Sequence, residues 1–181
     1  ARIEVINSCG YGVLVSNYFE YYKLSAYLRR YVTNPIGLVM GLNNLADIFK
    51  EEYYSSMEGG ILEAFGILFK DNVKIYAYPI ELENFERYRE QIGIGDNVEV
   101  ETGEDGLVTI ENLLVAKNLR NLYKYIRENG FLETITECDR RNMKLFSRDV
   151  FEQVQSRKEG WKECPPDRAA EMIEKKELWK S

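Results

Sequence analysis

The sequence predicts an α/β fold in which helices flank a parallel sheet. Short apolar runs bounded by Gly, Pro or polar residues recur between residues 1 and 79, and this pattern is typical of buried strands. Stretches with helical periodicity lie between most of these runs, which predicts parallel strands joined by helical crossovers. The run GLVMG, residues 37–41, lacks polar alternation, and such runs are typical of strands covered on both faces of a sheet.

Four strands and three helices are predicted in the first 79 residues. The strands are residues 3–6, 12–15, 35–41 and 73–79. The first helix lies within residues 17–32, where Asn17 precedes Glu20 in a variant of the capping box. A second helix occupies residues 43–54 with Asn44 as its cap, and a third follows the break at Gly59 and Gly60.

The rest of the chain predicts a loop-rich excursion and a helical C-terminal tail. Residues 81–91 predict a polar helix, and the glycines and acids of residues 92–110 predict a loop or hairpin. A helix begins at residue 117 with Gly130 just past its end, and residues 131–135 are a candidate strand. The tail holds the last two predicted helices, at 148–157 after Ser147 as cap and at 166–176 with Pro166 in its first position.

These elements predict three segments. Residues 1–79 form the sheet core, residues 80–116 form an insertion, and residues 117–181 form a helical part that packs on the core. At 181 residues and 45% hydrophobic composition, the chain is long enough and apolar enough to bury such a core.

Charge and composition exclude several classes of partner and site. A net charge of -6 argues against binding nucleic acid, which requires a cationic surface. No signal-peptide pattern and no membrane-length apolar run occurs, so we expect no membrane partner. Cys9, Cys138 and Cys164 are odd in number and widely spaced, which favours a reducing, cytoplasmic location over disulfides. The chain holds no histidine, which excludes histidine triads and histidine metal ligands.

Polar turns follow two of the predicted strands. Ser16 and Asn17 come after residues 12–15, and Gly41, Asn43 and Asn44 come at the end of residues 35–41. Because ligands of open α/β sheets bind beyond the carboxyl ends of strands, these residues are candidates for binding a phosphate, base or ribose. The alternative is that the asparagines only terminate a strand and cap helices.

A third candidate lies in the tail. Ser147 and Arg148 stand at a predicted helix start, where free N–H groups and a guanidinium can together bind a phosphate. The alternative is a solvated or ion-paired arginine. Neither the GxGxxG nor the GxxxxGK[ST] motif occurs, and no carboxylate pair or metal cluster is indicated by spacing.

The order of these motifs resembles the nucleotidylyltransferase superfamily, in particular the nicotinate/nicotinamide-mononucleotide adenylyltransferases and related bacterial, notably cyanobacterial, proteins. The stretches that carry the resemblance are PIGLVMGLNNLADIFKEEYY, VKIYAYP and FSRDVFEQVQSRKEGWKECPPDRAAEMIEKKELW. The resemblance implies a Rossmann-like fold and a step of NAD biosynthesis. In that step AMP passes from ATP to a nucleotide monophosphate such as NMN, with Mg²⁺ as cofactor and pyrophosphate as product.

The family's two histidines have no counterpart in this chain. They stabilise the charge on the transferred phosphate, and Glu20 and Lys23 fall at their positions. In an active enzyme Lys23 and Arg148 would supply the positive charge. The alternative is a catalytically degenerate domain that acts as a regulatory or oligomerisation module, in which Tyr-rich helices form the contact with a second copy.

Overall fold

The structure, a computed structural model, describes residues 1–92, 98–101, 105–156, 158 and 160–179. The chain forms two compact units. The terminal unit comprises Ala1–Asn17 together with Arg140–Ser181, and the central unit comprises Tyr18–Asp139. The segment boundaries expected from the sequence, after residues 79 and 116, stay a prediction.

Helices and short strands alternate along the chain. In order, the elements are α1 (Arg2–Ser8), α2 (Tyr21–Leu28), β1 (Ile36–Gly41), α3 (Leu42–Ile48), α4 (Gly60–Leu68), β2 (Val73–Tyr78), β3 (Ile80–Glu81), α5 (Leu82–Ile92), β4 (Glu99–Val100), β5 (Leu107–Val108), β6 (Leu113–Leu114), α6 (Arg120–Glu128), β7 (Leu132–Thr134), α7 (Ser147–Gln155) and α8 (Asp167–Lys175). Single 3₁₀ turns occupy Glu51–Tyr54, Lys117–Leu119, Arg140–Lys144 and Trp161–Glu163.

A three-stranded parallel sheet organises the central unit, in the order β1-β2-β7. Strand β1 pairs with β2 from Ile36 opposite Val73 to Gly41 opposite Tyr78, and β2 pairs with β7 near Ile75. The predicted α/β class, the parallel sheet and the flanking helices are confirmed. The strands predicted at 35–41, 73–79 and 131–135 are present with slightly shorter bounds.

The crossover helices bury one face of this sheet. Helix α3 contacts β1 and β2, and α6 contacts β7. The buried positions of β2 alternate with half-exposed ones, as the period of a strand requires. An aromatic cluster completes the core, where Phe49 has its ring centroid 5.0 Å from Phe65 and 5.2 Å from Tyr123. These edge-on contacts stabilise the helices against one another.

The other face of the sheet is open, so the expectation that both faces are covered is wrong. Val39 is 67% exposed and Gly37 beside it is also exposed. Tyrosines of β2 partly cover this face in place of a helix, because the ring of Tyr76 lies over Gly37 and the ring of Tyr78 lies over Gly41. A run of apolar residues therefore reflects cross-strand packing here and not a second helical layer.

The first two predicted strands are absent. Residues 3–6 belong to helix α1, and residues 12–15 have no regular structure. Helix α1 packs against α8, where Ser8 Oγ donates to the carbonyl of Arg168 at 3.3 Å. No strand pairs with residues 12–15 among the described residues. Strand formation requires a partner strand, so β-branched composition alone decided neither segment.

The predicted excursion after residue 79 contains a helix and two small antiparallel ribbons. Helix α5 confirms the polar helix, and the ribbons pair β3 with β5 and β4 with β6. The parts of the expected loop at 93–97 and 102–104 lie outside the described residues. Gly130 follows α6 with φ of 71°, and the N–H of Phe131 donates to the carbonyl of Ile126 at 3.0 Å. This is a Schellman ending, which confirms Gly130 as the residue past the helix.

Three predicted helix caps are wrong by one to three residues. Helix α2 is capped by Glu20 and not Asn17, α3 by Gly41 and not Asn44, and α7 by Phe146 and not Ser147. Pro166 is the cap of α8 and not its first residue. For α3 the reason is that β1 leads directly into the helix, so the helix begins at Leu42, two residues before Asn44. In the described ranges, no helix combines the length and hydrophobicity needed to cross a membrane.

Candidate functional site

A cleft of about 400 Å³ in the central unit is the candidate site. We call it the aromatic cleft. Its walls consist of aromatic, acidic and amide side chains with one aliphatic residue: Phe19, Glu20, Tyr21, Asn44, Asp47, Ile48, Tyr53 and Tyr54. Its volume is within the range of small-molecule sites, which is about 300–1,000 Å³.

Three short segments position these side chains. Asn44, Asp47 and Ile48 are three and four residues apart on α3, so they lie on one helix face. Helix α3 begins where β1 ends, which places Asn44 near the carboxyl end of a parallel strand. The start of α2 and the 3₁₀ turn Glu51–Tyr54 supply the remaining walls. The cleft therefore adjoins the helix that follows the carboxyl end of β1.

Each carboxylate of the aromatic cleft pairs with a lysine of its own segment. Lys23 Nζ lies 2.7 Å from Glu20 Oε1, and this hydrogen bond lowers the pKa of Glu20 and raises the pKa of Lys23. Lys50 Nζ lies 2.7 Å from Asp47 Oδ1, an ion pair without hydrogen-bond geometry. Burial opposes the charge of Lys50, yet the Asp47 carboxylate raises the pKa of Lys50 overall. Both ammonium groups stay charged but are offset by their carboxylates, and neither lysine lines the cleft.

The tyrosines give the cleft a rigid wall and phenol donors. Tyr54 is buried, and its hydroxyl donates to the carbonyl of Ile48 at 2.7 Å. Burial raises the pKa of Tyr54, so the phenol stays protonated at neutral pH. The pKa of Tyr21 is raised by burial and then by the Asp47 charge, so Tyr21 also remains a neutral phenol. Phe19, in contrast, is 93% exposed at the rim.

This arrangement suits a flat ring that carries N–H groups. Carboxylate oxygens accept hydrogen bonds from amino groups, and aromatic side chains stack on heteroaromatic rings. A triphosphate fits poorly, because the lining residues include Glu20 and Asp47 and no cation. Carboxylates commonly complete the coordination of the Mg²⁺ held by ATP, and both carboxylates of this cleft are paired with lysines. Among the described residues, no group of three or more Cys, Asp or Glu side chains could hold a metal ion.

The candidate residues of the central unit have different surroundings. Asn44 lines the cleft, and Lys23 is exposed on α2 in its pair with Glu20. Gly41 ends β1, and the space that a side chain would occupy there is filled by the Tyr78 ring, with Tyr78 Oη 2.9 Å from an added Cβ. Asn43 is only 8% exposed, and among the described residues its Oδ1 finds no hydrogen-bond partner. Asn44 is thus the candidate that the structure places in the cleft.

The other four candidates belong to the terminal unit. Ser16 and Asn17 are exposed in a segment without regular structure, so they do not follow a strand end as expected. Ser147 is the first residue of α7. Arg148 is exposed at the second position of that helix and lines a separate cavity of the terminal unit.

The residues of the proposed site that the sequence did not indicate are Phe19, Tyr21, Asp47, Tyr53 and Tyr54. The tyrosines stand in the clusters YFEYY and EEYY, which the sequence presents equally well as packing residues. Asp47 is spaced three residues from Asn44, and this spacing on a helix was the available signal.

No protein-family model, curated protein or solved structure matches the chain at a significant level. The resemblance to nucleotidylyltransferases therefore stays a prediction.

Proposed function

We propose that the central unit is a Rossmann-like nucleoside-binding domain, which holds the base and ribose of a nucleotide in the aromatic cleft and transfers no phosphate. The support for the fold is the parallel order β1-β2-β7 with helical crossovers. Asn44 of the cleft lies in the first turn after β1, and folds of this kind bind nucleotides beyond the carboxyl ends of their strands. Binding without chemistry makes the domain a regulatory module.

The observation that carries this proposal is the composition of the cleft walls. Exposed Phe19 and Tyr53 provide aromatic faces on which a base stacks. Asp47 and Glu20 accept hydrogen bonds from an exocyclic amine, and the Asn44 amide pairs with a ring nitrogen. Adenine has both groups on one edge, so adenosine is the ligand that fits these walls best.

The second candidate function is transfer of AMP from ATP to a nucleotide monophosphate such as NMN. The position of Asn44 in the first turn after β1 favours it, together with the motif order of the sequence. This reaction would require Lys23 to leave Glu20 and face the phosphates, because the ion pair cancels its charge. The two cleft carboxylates, each paired with a lysine, do not fit a Mg²⁺ ion.

Isothermal titration calorimetry of the whole chain tests the proposal. Adenosine and AMP are expected to bind, and ATP with Mg²⁺ is expected to bind more weakly than adenosine because its phosphates meet carboxylates. A folded sample that binds none of these ligands would contradict the proposal. Release of pyrophosphate from ATP and NMN would replace it with the transfer reaction.

A pair of matched variants locates the binding. Asp47→Asn removes a cleft charge and is expected to weaken adenosine binding about tenfold, since hydrogen bonds to charged groups contribute about 1.5–3 kcal/mol. Asp71→Asn makes the same change at an exposed position outside the cleft and should leave binding unchanged. Light scattering of both variants reports whether the domain assembles with a second copy.

A further inference from the structure

The terminal unit holds a second cavity, which the proposed function does not use. Its volume is about 670 Å³. Its lining residues come from α1, α7, α8 and the segments beside them, and they are Arg2, Leu145, Arg148, Val150, Phe151, Val154, Cys164, Pro165, Ile173 and Trp179. We call it the terminal cavity.

Most of the surface that lines the terminal cavity is apolar. Val154 of α7 and Ile173 of α8 are buried at its base. The rings of Phe151 and Trp179 meet edge-on with centroids 5.5 Å apart, which gives a firm aromatic side. Amide and carboxyl side chains are missing from the lining residues, so the polar edge of a base would find few partners. An alkyl chain needs none.

The charge of the cavity is positive. Among the described residues that line it, the two charged ones are Arg2 and Arg148, and none carries a carboxylate. In the part of the chain that the structure describes, neither guanidinium forms an ion pair or a hydrogen bond. Arg148 also stands in the first turn of α7, where the helix dipole disfavours a cation. An anion at this position compensates both the guanidinium and the helix terminus.

We propose that the terminal cavity binds a fatty-acid-type carboxylate. The alkyl chain lies among Val154, Phe151 and Ile173, and the carboxylate pairs with Arg148 and Arg2. Burial of each methylene contributes through the hydrophobic effect, and a planar guanidinium matches a carboxylate with two parallel hydrogen bonds. The site belongs to a different unit from the aromatic cleft, so each proposal can fail without the other.

Tryptophan fluorescence provides a local readout. The chain contains two tryptophans, and Trp161 does not line the cavity, so Trp161→Phe leaves Trp179 as the single reporter. Dodecanoate below its micelle concentration is titrated against dodecanol, acetate and dodecyltrimethylammonium. Dodecanol keeps the alkyl chain without the charge, and acetate keeps the carboxylate without the long alkyl chain. Dodecyltrimethylammonium keeps the alkyl chain with the opposite charge.

We expect dodecanoate to change Trp179 emission saturably. Its affinity should be at least about tenfold higher than that of dodecanol or dodecyltrimethylammonium. Equal affinity for dodecanoate, dodecanol and dodecyltrimethylammonium would overturn the anion site. The absence of a saturable change in Trp179 emission with dodecanoate would overturn the cavity as the place of binding. Alkylation of wild-type protein gives an independent check by mass spectrometry. Dodecanoate should protect Cys164, which lines the cavity, and leave Cys9 and Cys138 unprotected.

Removal of one guanidinium completes the test. Arg148→Gln lies at an exposed position and is expected to weaken dodecanoate binding about tenfold, with dodecanol affinity unchanged. Arg168→Gln removes the same charge from exposed surface of α8 outside the cavity and should change neither. Equal losses in both variants would show a general charge effect and contradict the assignment.

Discussion

Lys23 Nζ lies 2.7 Å from Glu20 Oε1, so the charges of these two side chains offset each other. The hydrogen bond lowers the pKa of Glu20 and raises that of Lys23, so both remain ionised at neutral pH. A lysine engaged in this way stabilises its own helix start and supplies no surplus charge to a phosphate. This contact is the physical reason to favour binding over transfer in the central unit.

Glu20→Gln is predicted to shift the ligand preference of the cleft from adenosine towards ATP. The substitution removes a negative charge from the wall and frees the Lys23 ammonium. The expected gain in ATP affinity is about fivefold, which corresponds to one charge interaction at about 4 Å in water. Calorimetry with both ligands measures it, with Glu58→Gln, exposed and outside the cleft, as the control. Unchanged ATP affinity would show that Lys23 does not reach the phosphates.

Two glycine substitutions are predicted to have opposite effects on stability. Gly130 has φ of 71°, so Gly130→Ala is expected to lower the free energy of unfolding by about 1 kcal/mol. Gly66 is exposed inside α4 with open space at its Cβ position, so Gly66→Ala should raise it by about 0.5–1 kcal/mol. Urea unfolding measures both. Equal signs would contradict the Schellman ending of α6.

The same substitution at two positions of α4 tests which face is buried. Leu68 is 2% exposed, so Leu68→Ala is predicted to lower the free energy of unfolding by about 2–5 kcal/mol. Leu62 is 65% exposed, and Leu62→Ala should change it by less than about 0.5 kcal/mol. Denaturant midpoints compare the two variants. Similar losses would mean that α4 packs through a different face.

Stability is predicted to fall at alkaline pH through Tyr123. Burial raises the pKa of this phenol above its ordinary value of 10.0, and its hydroxyl donates to the carbonyl of Ile110 at 2.8 Å. The neutral phenol therefore contributes stability that is complete below pH 10 and is lost as the pH rises above it, because the unfolded chain ionises first. Unfolding in urea at pH 8 and pH 11 measures the loss.

Tyr123→Phe should reduce that alkaline loss, at a cost of about 1 kcal/mol at pH 8 for the missing hydrogen bond. Tyr125→Phe on the exposed side of the same helix is the control and should leave the pH dependence as in the original chain. If the two variants lose stability equally between pH 8 and pH 11, the buried phenol is not the cause.

The candidate site was only partly predictable. Asn44 could be inferred because a polar residue after a buried strand lies near the edge where ligands bind. The tyrosines of the cleft could not, because an aromatic residue at helical spacing serves packing and binding alike. Ser16 and Asn17 were chosen on the premise of a strand at 12–15, and that premise is wrong.

Local sequence determined the elements whose signals are carried within a few residues. Strands β1 and β2, the amphipathic helix α6 and the glycine past its end depend on periodicity and on backbone conformation, which neighbouring residues set. The tertiary structure decided three other features. They are the open face of the sheet, the helix at residues 2–8, and the pairing of Glu20 with Lys23 beside a tyrosine wall. In each case the deciding contact joins segments that are distant in the chain or selects one of several local options, and composition alone does not distinguish among them.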